Sequence, residues 1–139
     1  MSNEEELAKY RMVLQQYQEQ VNQLEMQAQY LQAALADYSK AKITLENLTK
    51  EDKDTETLIP IGGSAFVYAK VTDTSKVLVD IGAGLIAERS FEDGIKKLDE
   101  RIDEIQKNQD KIYSMIEQFQ AEAADITQKA QKLMTEGNE

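Results

Sequence analysis

The sequence predicts a mainly α fold with a small β region: a long antiparallel coiled-coil hairpin that carries two central β-hairpins. Three observations carry this reading. A heptad seam runs through the first half, a second seam runs through the last third, and the stretch between them changes to the period of strands. In the first seam Leu7, Tyr10, Leu14, Tyr17, Val21, Leu24, Ala28, Leu31, Leu35, Tyr38 and Leu45 alternate spacings of three and four, interrupted by Lys42. In the second, Phe91, Ile95, Leu98, Ile102, Ile105, Ile112, Ile116, Phe119, Ala123, Ile126, Ala130 and Leu133 do the same, interrupted by Gln109. Such spacing holds one stripe toward a partner helix, because coiled coils repeat about every 3.5 residues.

The first helix is expected to start at Ser2 or Asn3, with Glu4, Glu5 and Glu6 at its positive end, and to run to about Leu48. Its outer face is rich in Gln and Ala, and its flanks (Gln18, Gln20, Gln27, Gln32) carry little charge, as suits a covalently attached partner. Thr49 to Thr57 reads as a polar, acidic connector. Thr57 to Ile61 is a strand in which Pro60 marks an edge or a bulge. Gly62, Gly63 and Ser64 form a turn, and Ala65 to Val71 a second strand. Thr72 to Ser75 is a turn, Lys76 to Ile81 a third strand, Gly82 to Gly84 a glycine turn, and Leu85 to Glu88 a fourth strand. Short β-branched and aromatic runs divided by glycine turns read as two successive hairpins. Ser90 caps the second helix, Asp93 supports its first turn, and it ends near Met134. Residues 1–50, 51–90 and 91–139 are thus expected as helix, hairpin pair and helix, within one domain.

The seams also fit each other. With Leu7 opposite Leu133, Tyr17 meets Ala123, Val21 meets Phe119, Leu24 meets Ile116 and Ala28 meets Ile112, so small residues lie across from large ones. Leu31 faces Gln109 and Lys42 faces Leu98. A slide of one heptad puts Ala28 beside Phe119 and Tyr17 beside Ala130 but leaves the seam ends unaligned. At ~1.5 Å per residue, helices of this length reach roughly 60–65 Å.

Net charge is −10 over 139 residues. That disfavours nucleic acid, which needs clustered Lys and Arg, and equally anionic membrane surfaces. No apolar run is long enough to span a bilayer and no signal segment is apparent. Cysteine is absent, so no disulfide is expected; a cytoplasmic location is the default. Without histidine or cysteine, nucleophile–base pairs and zinc sites lack their residues, so neither enzyme activity nor a cofactor nor a metal is expected. Gly82-Ala83-Gly84 lacks the third glycine of a dinucleotide loop. Glu51, Asp52, Asp54 and Glu56 lack calcium-loop spacing and read as a solvated connector.

The hairpins cannot stand alone. Isolated two-stranded ribbons are marginal in water, and the helices have spent their apolar stripes on each other. Leu58, Ile59, Ile61, Phe66, Val67, Tyr68, Val77, Leu78, Val79, Ile81, Leu85 and Ile86 are therefore expected to oligomerise, closing a shared sheet or β-barrel hub with hairpins of other chains.

At this point a resemblance emerges. Glu56-Thr57-Leu58-Ile59-Pro60-Ile61-Gly62, then Phe66 and Ala69, then Val77-Leu78-Val79-Asp80-Ile81-Gly82-Ala83-Gly84, resembles the central region of α-type prefoldin subunits. The flanking helices extend the resemblance over nearly the whole chain. Two hairpins instead of one are similar to the α class, and the absence of long tails is more similar to archaeal than eukaryotic members. The resemblance implies a hexamer of two α-type and four β-type subunits, with a double β barrel and six coiled-coil arms around an open cavity. It implies capture of unfolded client proteins without ATP and their delivery to a group II chaperonin.

Capture of that kind would concentrate at the free ends of the helices, which hold Met1, Leu7, Tyr10, Met12, Val13, Ala130, Leu133 and Met134. Leu7, Tyr10, Ala130 and Leu133 belong to the seam, but fraying ends expose seam residues. Met12, Val13 and Met134 lie off it, and methionine suits a surface that accepts many partners. Met26 and Tyr30 read as a solvated scatter, and Tyr113 and Met115 as half-buried packing. Lys42 is expected to snorkel outward. The alternative to a holdase is a structural coiled-coil scaffold or tether whose helix ends bind one folded partner.

Overall fold

The computed structural model describes residues 2–50 and 54–137. Met1, Glu51 and Asp52, named above, lie outside the described residues. Six elements follow in order: α1 (Asn3–Leu48), β1 (Thr55–Gly62), β2 (Ala65–Val71), β3 (Lys76–Gly82), β4 (Leu85–Ser90) and α2 (Phe91–Gly137). The connector is shorter than expected, because Thr55 and Glu56 pair with Val71 and Lys70 as strand. Helix α2 also outruns its expected end at Met134, since nothing before Gly137 breaks it. Ser2 caps α1, its Oγ accepting from the Glu5 amide at 3.3 Å. Ser90 caps α2 in the same way, with the Asp93 amide at 3.1 Å.

The chain divides into two compact units, Met1–Ala34 with Ile105–Glu139 and Leu35–Glu104. In the first, α1 and α2 run antiparallel. A Cβ placed on Gly137 would lie 3.2 Å from Asn3 Nδ2, the Tyr17 and Phe119 rings sit 5.8 Å apart, and Gln32 bonds Gln109. Val21, Leu24 and Ile116 form the core, with Ile112 and Phe119 packed on it. These contacts belong to the unslid register. Gln109 is buried, and a buried amide needs a partner. Leu31 offers no acceptor, so the Gln109 amide donates to Oε1 of the neighbouring Gln32 at 3.0 Å.

The second unit keeps the same pairing where Arg101 lies over the Tyr38 ring. Lys42 reaches outward to Asp99 at 2.6 Å and Glu46 at 3.8 Å. Asp99 holds the Lys42 ammonium above its ordinary pKa. The same unit contains two separate two-stranded antiparallel sheets, β1–β2 and β3–β4. Both carry a register shift, between Pro60 and Gly62 and between Asp80 and Gly82, so the bulge expected at Pro60 has a counterpart. Both turn through two residues of positive φ, Gly63–Ser64 and Ala83–Gly84, as a type I′ hairpin requires.

One expectation needs correction. The helices do cover part of the second hairpin. Leu45 and Phe91 are buried, Val77 and Val79 are half-buried, and Gly94 is the point of close approach. A Cβ on Gly94 would lie 2.6 Å from Val77 Cγ1 and 3.5 Å from Leu45 Cδ1. Glycine costs a helix interior about 1 kcal/mol relative to alanine. Here it admits the β-branched Val77, whose χ1 is stiff. Gly94→Ala is therefore expected to lower stability by about 1–2 kcal/mol, overpacking outweighing the gain in helix propensity. Adding Val77→Ala should recover much of that loss in thermal melts. A Gly94→Ala protein that melts at a higher temperature would show that the seat is not tight.

Candidate functional site

Strand alternation decides which side chains the hairpins present. In β1–β2 the register sets Leu58 beside Tyr68 and Pro60 beside Phe66, with Glu56 beside Lys70 at the far end. All these residues are exposed, Tyr68 at 80% and Phe66 at 58%. The opposite face pairs Thr57 with Ala69 and Ile59 with Val67. Thr57 and Ala69 are half-buried, whereas Ile59 and Val67 remain open near the turn. An aromatic-bearing ribbon face, apolar except for Glu56 and Lys70 at its far end, is thus turned to solvent.

The second ribbon is similar in backbone and different in chemistry. Its outer face sets Leu78 beside Glu88 and Asp80 beside Ile86, with Lys76 beside Ser90. Leu78 and Ile86 are each 68% exposed, and Lys76 lies 3.4 Å from Glu88. Ile81 and Leu85 are exposed at the bulge and turn, as Ile61 is in the first ribbon. Val77 and Val79 point the other way, toward Gly94. Of the twelve residues expected to oligomerise, these two spend much of their surface inside the chain.

The helix ends in the first unit form another surface. Met12 and Met134, off the seam, are exposed, while Leu7, Tyr10, Val13, Ala130 and Leu133 are half-buried. Tyr17, one turn further along, packs on Phe119, and a hydrogen bond to Glu122 raises its pKa. Met26 and Tyr30 are exposed, at 70% and 76%. With Gln27, Leu31, Asn108, Lys111 and Ile112 they line an open groove of about 550 Å³. Their spacing of four residues placed them on one helix face; Ile112 and Lys111 come from the other helix. Tyr113 and Met115, expected as half-buried packing, are 48% and 45% exposed.

Among the described residues no group of acidic side chains could hold a metal ion, and no helix is long and apolar enough to cross a membrane.

Comparison with known proteins gives consistent results. A family model described as "Prefoldin subunit" matches residues 17–136. Prefoldin subunit alpha of Archaeoglobus fulgidus is 35% identical over 128 residues, spanning 92% of this chain and 93% of that protein. Its namesake in Pyrococcus horikoshii is 30% identical over 132 residues, spanning 94% and 89%. Among solved structures, filamentous PFD from Methanocaldococcus jannaschii superposes with a TM-score of 0.73 at 24% identity, covering 86% of this chain and 98% of that one.

Proposed function

The chain belongs to the prefoldin family and is of its α type, and on that premise we propose that it works as one subunit of an ATP-independent holdase. Prefoldin subunits are chaperone components that assemble with one another. The finer reading is ours: two such chains join four β-type subunits, and their hairpins close into a β-barrel hub. The paired helix ends capture unfolded clients in the cytoplasm and pass them to a group II chaperonin.

The observation that carries this reading is the uncovered face of the first hairpin. Leu58, Pro60, Phe66 and Tyr68 bring apolar area to an open-edged ribbon that nothing else among the described residues covers. Such area is stabilised by docking another subunit. Capture is then assigned to the Met-bearing helix ends, because methionine adapts its shape to many partners. Each end binds weakly, and several ends on one client raise the effective concentration of the rest.

The test is an aggregation assay. A chemically unfolded enzyme is diluted into buffer holding the complete complex and no nucleotide, and light scattering is followed. Slowed aggregation of several unrelated clients is the expected result. A scaffold or tether for one folded partner would leave every scattering trace unchanged.

A further inference from the structure

The hairpins repeat one backbone plan, and one of their chemical differences sits at the matched position before the bulge. Pro60 opposite Phe66 and Asp80 opposite Ile86 each form the last pair before the bulge. In the first ribbon the pyrrolidine ring stiffens that point. In the second, Asp80 Oδ1 accepts the Gly82 amide hydrogen at 2.8 Å, a local bond that holds the bulge.

That bond does not require a charge, since an asparagine oxygen would accept it equally well. Nor is the charge engaged in an ion pair, although Lys40, Lys97 and Arg101 line the cavity beside it. Among the described residues no cation pairs with Asp80: Lys76 lies on Glu88, Lys97 on Glu100 and Arg101 on Glu104. Asp80 shares its exposed face with Leu78 and Ile86, and the Lys76–Glu88 pair lies further along it. Beside it opens a cavity of about 910 Å³ that also reaches Tyr38 and Leu98, with room for a long side chain. A carboxylate closed into an apolar interface without a countercharge is strongly unfavourable.

Resting on the hairpin-mediated assembly proposed above, we infer that Asp80 selects the partner of the second hairpin. The β-type subunit that docks there presents a lysine or arginine to the Asp80 carboxylate. The first hairpin, with proline at the matched position, takes an uncharged apolar surface instead. The two docking sites are unequal: one is dry and insensitive to salt, the other is charge-steered and weakened by it.

The experiment uses the full-length chain with its β-type partner, counting partners per chain by native mass spectrometry after equilibration at about 50 mM and about 500 mM NaCl. Wild type should shed one class of partner first as salt rises. Asp80→Asn keeps the Gly82 bond, and should weaken that class on the order of tenfold at low salt and flatten its salt dependence. Asp80→Lys should lose that partner while keeping the one on the first hairpin. Equal affinity and equal salt slope in wild type and Asp80→Asn would overturn the role of Asp80 alone. A wild-type chain that takes up no β-type partner at either salt would overturn the assembly reading and this inference together.

Discussion

Phe66→Glu combined with Tyr68→Glu is expected to leave a folded chain whose first hairpin no longer docks a partner. The two rings are 58% and 80% exposed, with Pro60 and Leu58 directly across from them. Aromatic side chains bury about 150–250 Å² each when fully covered. At about 25 cal/mol per Å², covering these two contributes about 2–4 kcal/mol apiece. The substitution removes that gain and sets two carboxylates into the same interface, where each must be neutralised or paired. Every 1.4 kcal/mol or so is tenfold in affinity, so docking weakens by roughly a thousandfold or more. The chain's own fold loses little, because neither ring is buried within it. Sedimentation velocity should therefore find an assembly smaller than wild type, with the helical circular dichroism retained. A full-sized assembly built from the double-glutamate chain would remove the first hairpin from the hub.

Most of the architecture was legible because its signals are local and periodic. Three-four spacing marked both helices, and the pairing of small with large residues along the seams picked the register in which Gln32 meets Gln109 and Lys42 meets Asp99. Ser2 and Ser90 were readable as caps because their oxygens serve amides three residues on. The glycine pairs marked both turns, since positive φ there suits few other residues. Strand ends were less legible. Thr55, Glu56, Arg89 and Ser90 pair in the ladders without any apolar alternation to announce it. The seat of the second hairpin was hidden altogether. Gly94 reads in sequence as a flaw in a helix, and only its approach to Val77 and Leu45 explains it. The groove at Met26 and Tyr30 escaped notice for a similar reason. Its other wall, Lys111 and Ile112, lies about eighty residues further along the chain and is brought there by register.

Replacing Met12, Val13, Leu133 and Met134 together with serine abolishes protection of unfolded clients while the complex keeps its mass. Met12 and Met134 are exposed, and Val13 and Leu133 are half-buried, so the helices lose only modest packing there. The effect on capture is larger than on folding because it compounds. Each paired end that grips a client gives up about 1.5 kcal/mol or more of apolar contact. If about three ends hold one client, the product is a loss of roughly a thousandfold in retention. Light scattering of a diluted, unfolded enzyme reads that loss directly, and native mass spectrometry confirms that the subunits remain together. The matching variant carries Met26→Ser and Tyr30→Ser, which strip the groove beside Ile112 and leave the helix ends intact. Wild-type protection by the quadruple-serine complex, with protection lost in the Met26/Tyr30 variant, would move the capture surface from the helix ends to the groove. The opposite pattern is expected, because Met12 and Met134 lie exposed among the half-buried Leu7, Tyr10, Ala130 and Leu133, whereas the groove offers Met26 and Tyr30 beside Leu31 and Ile112 of the seam.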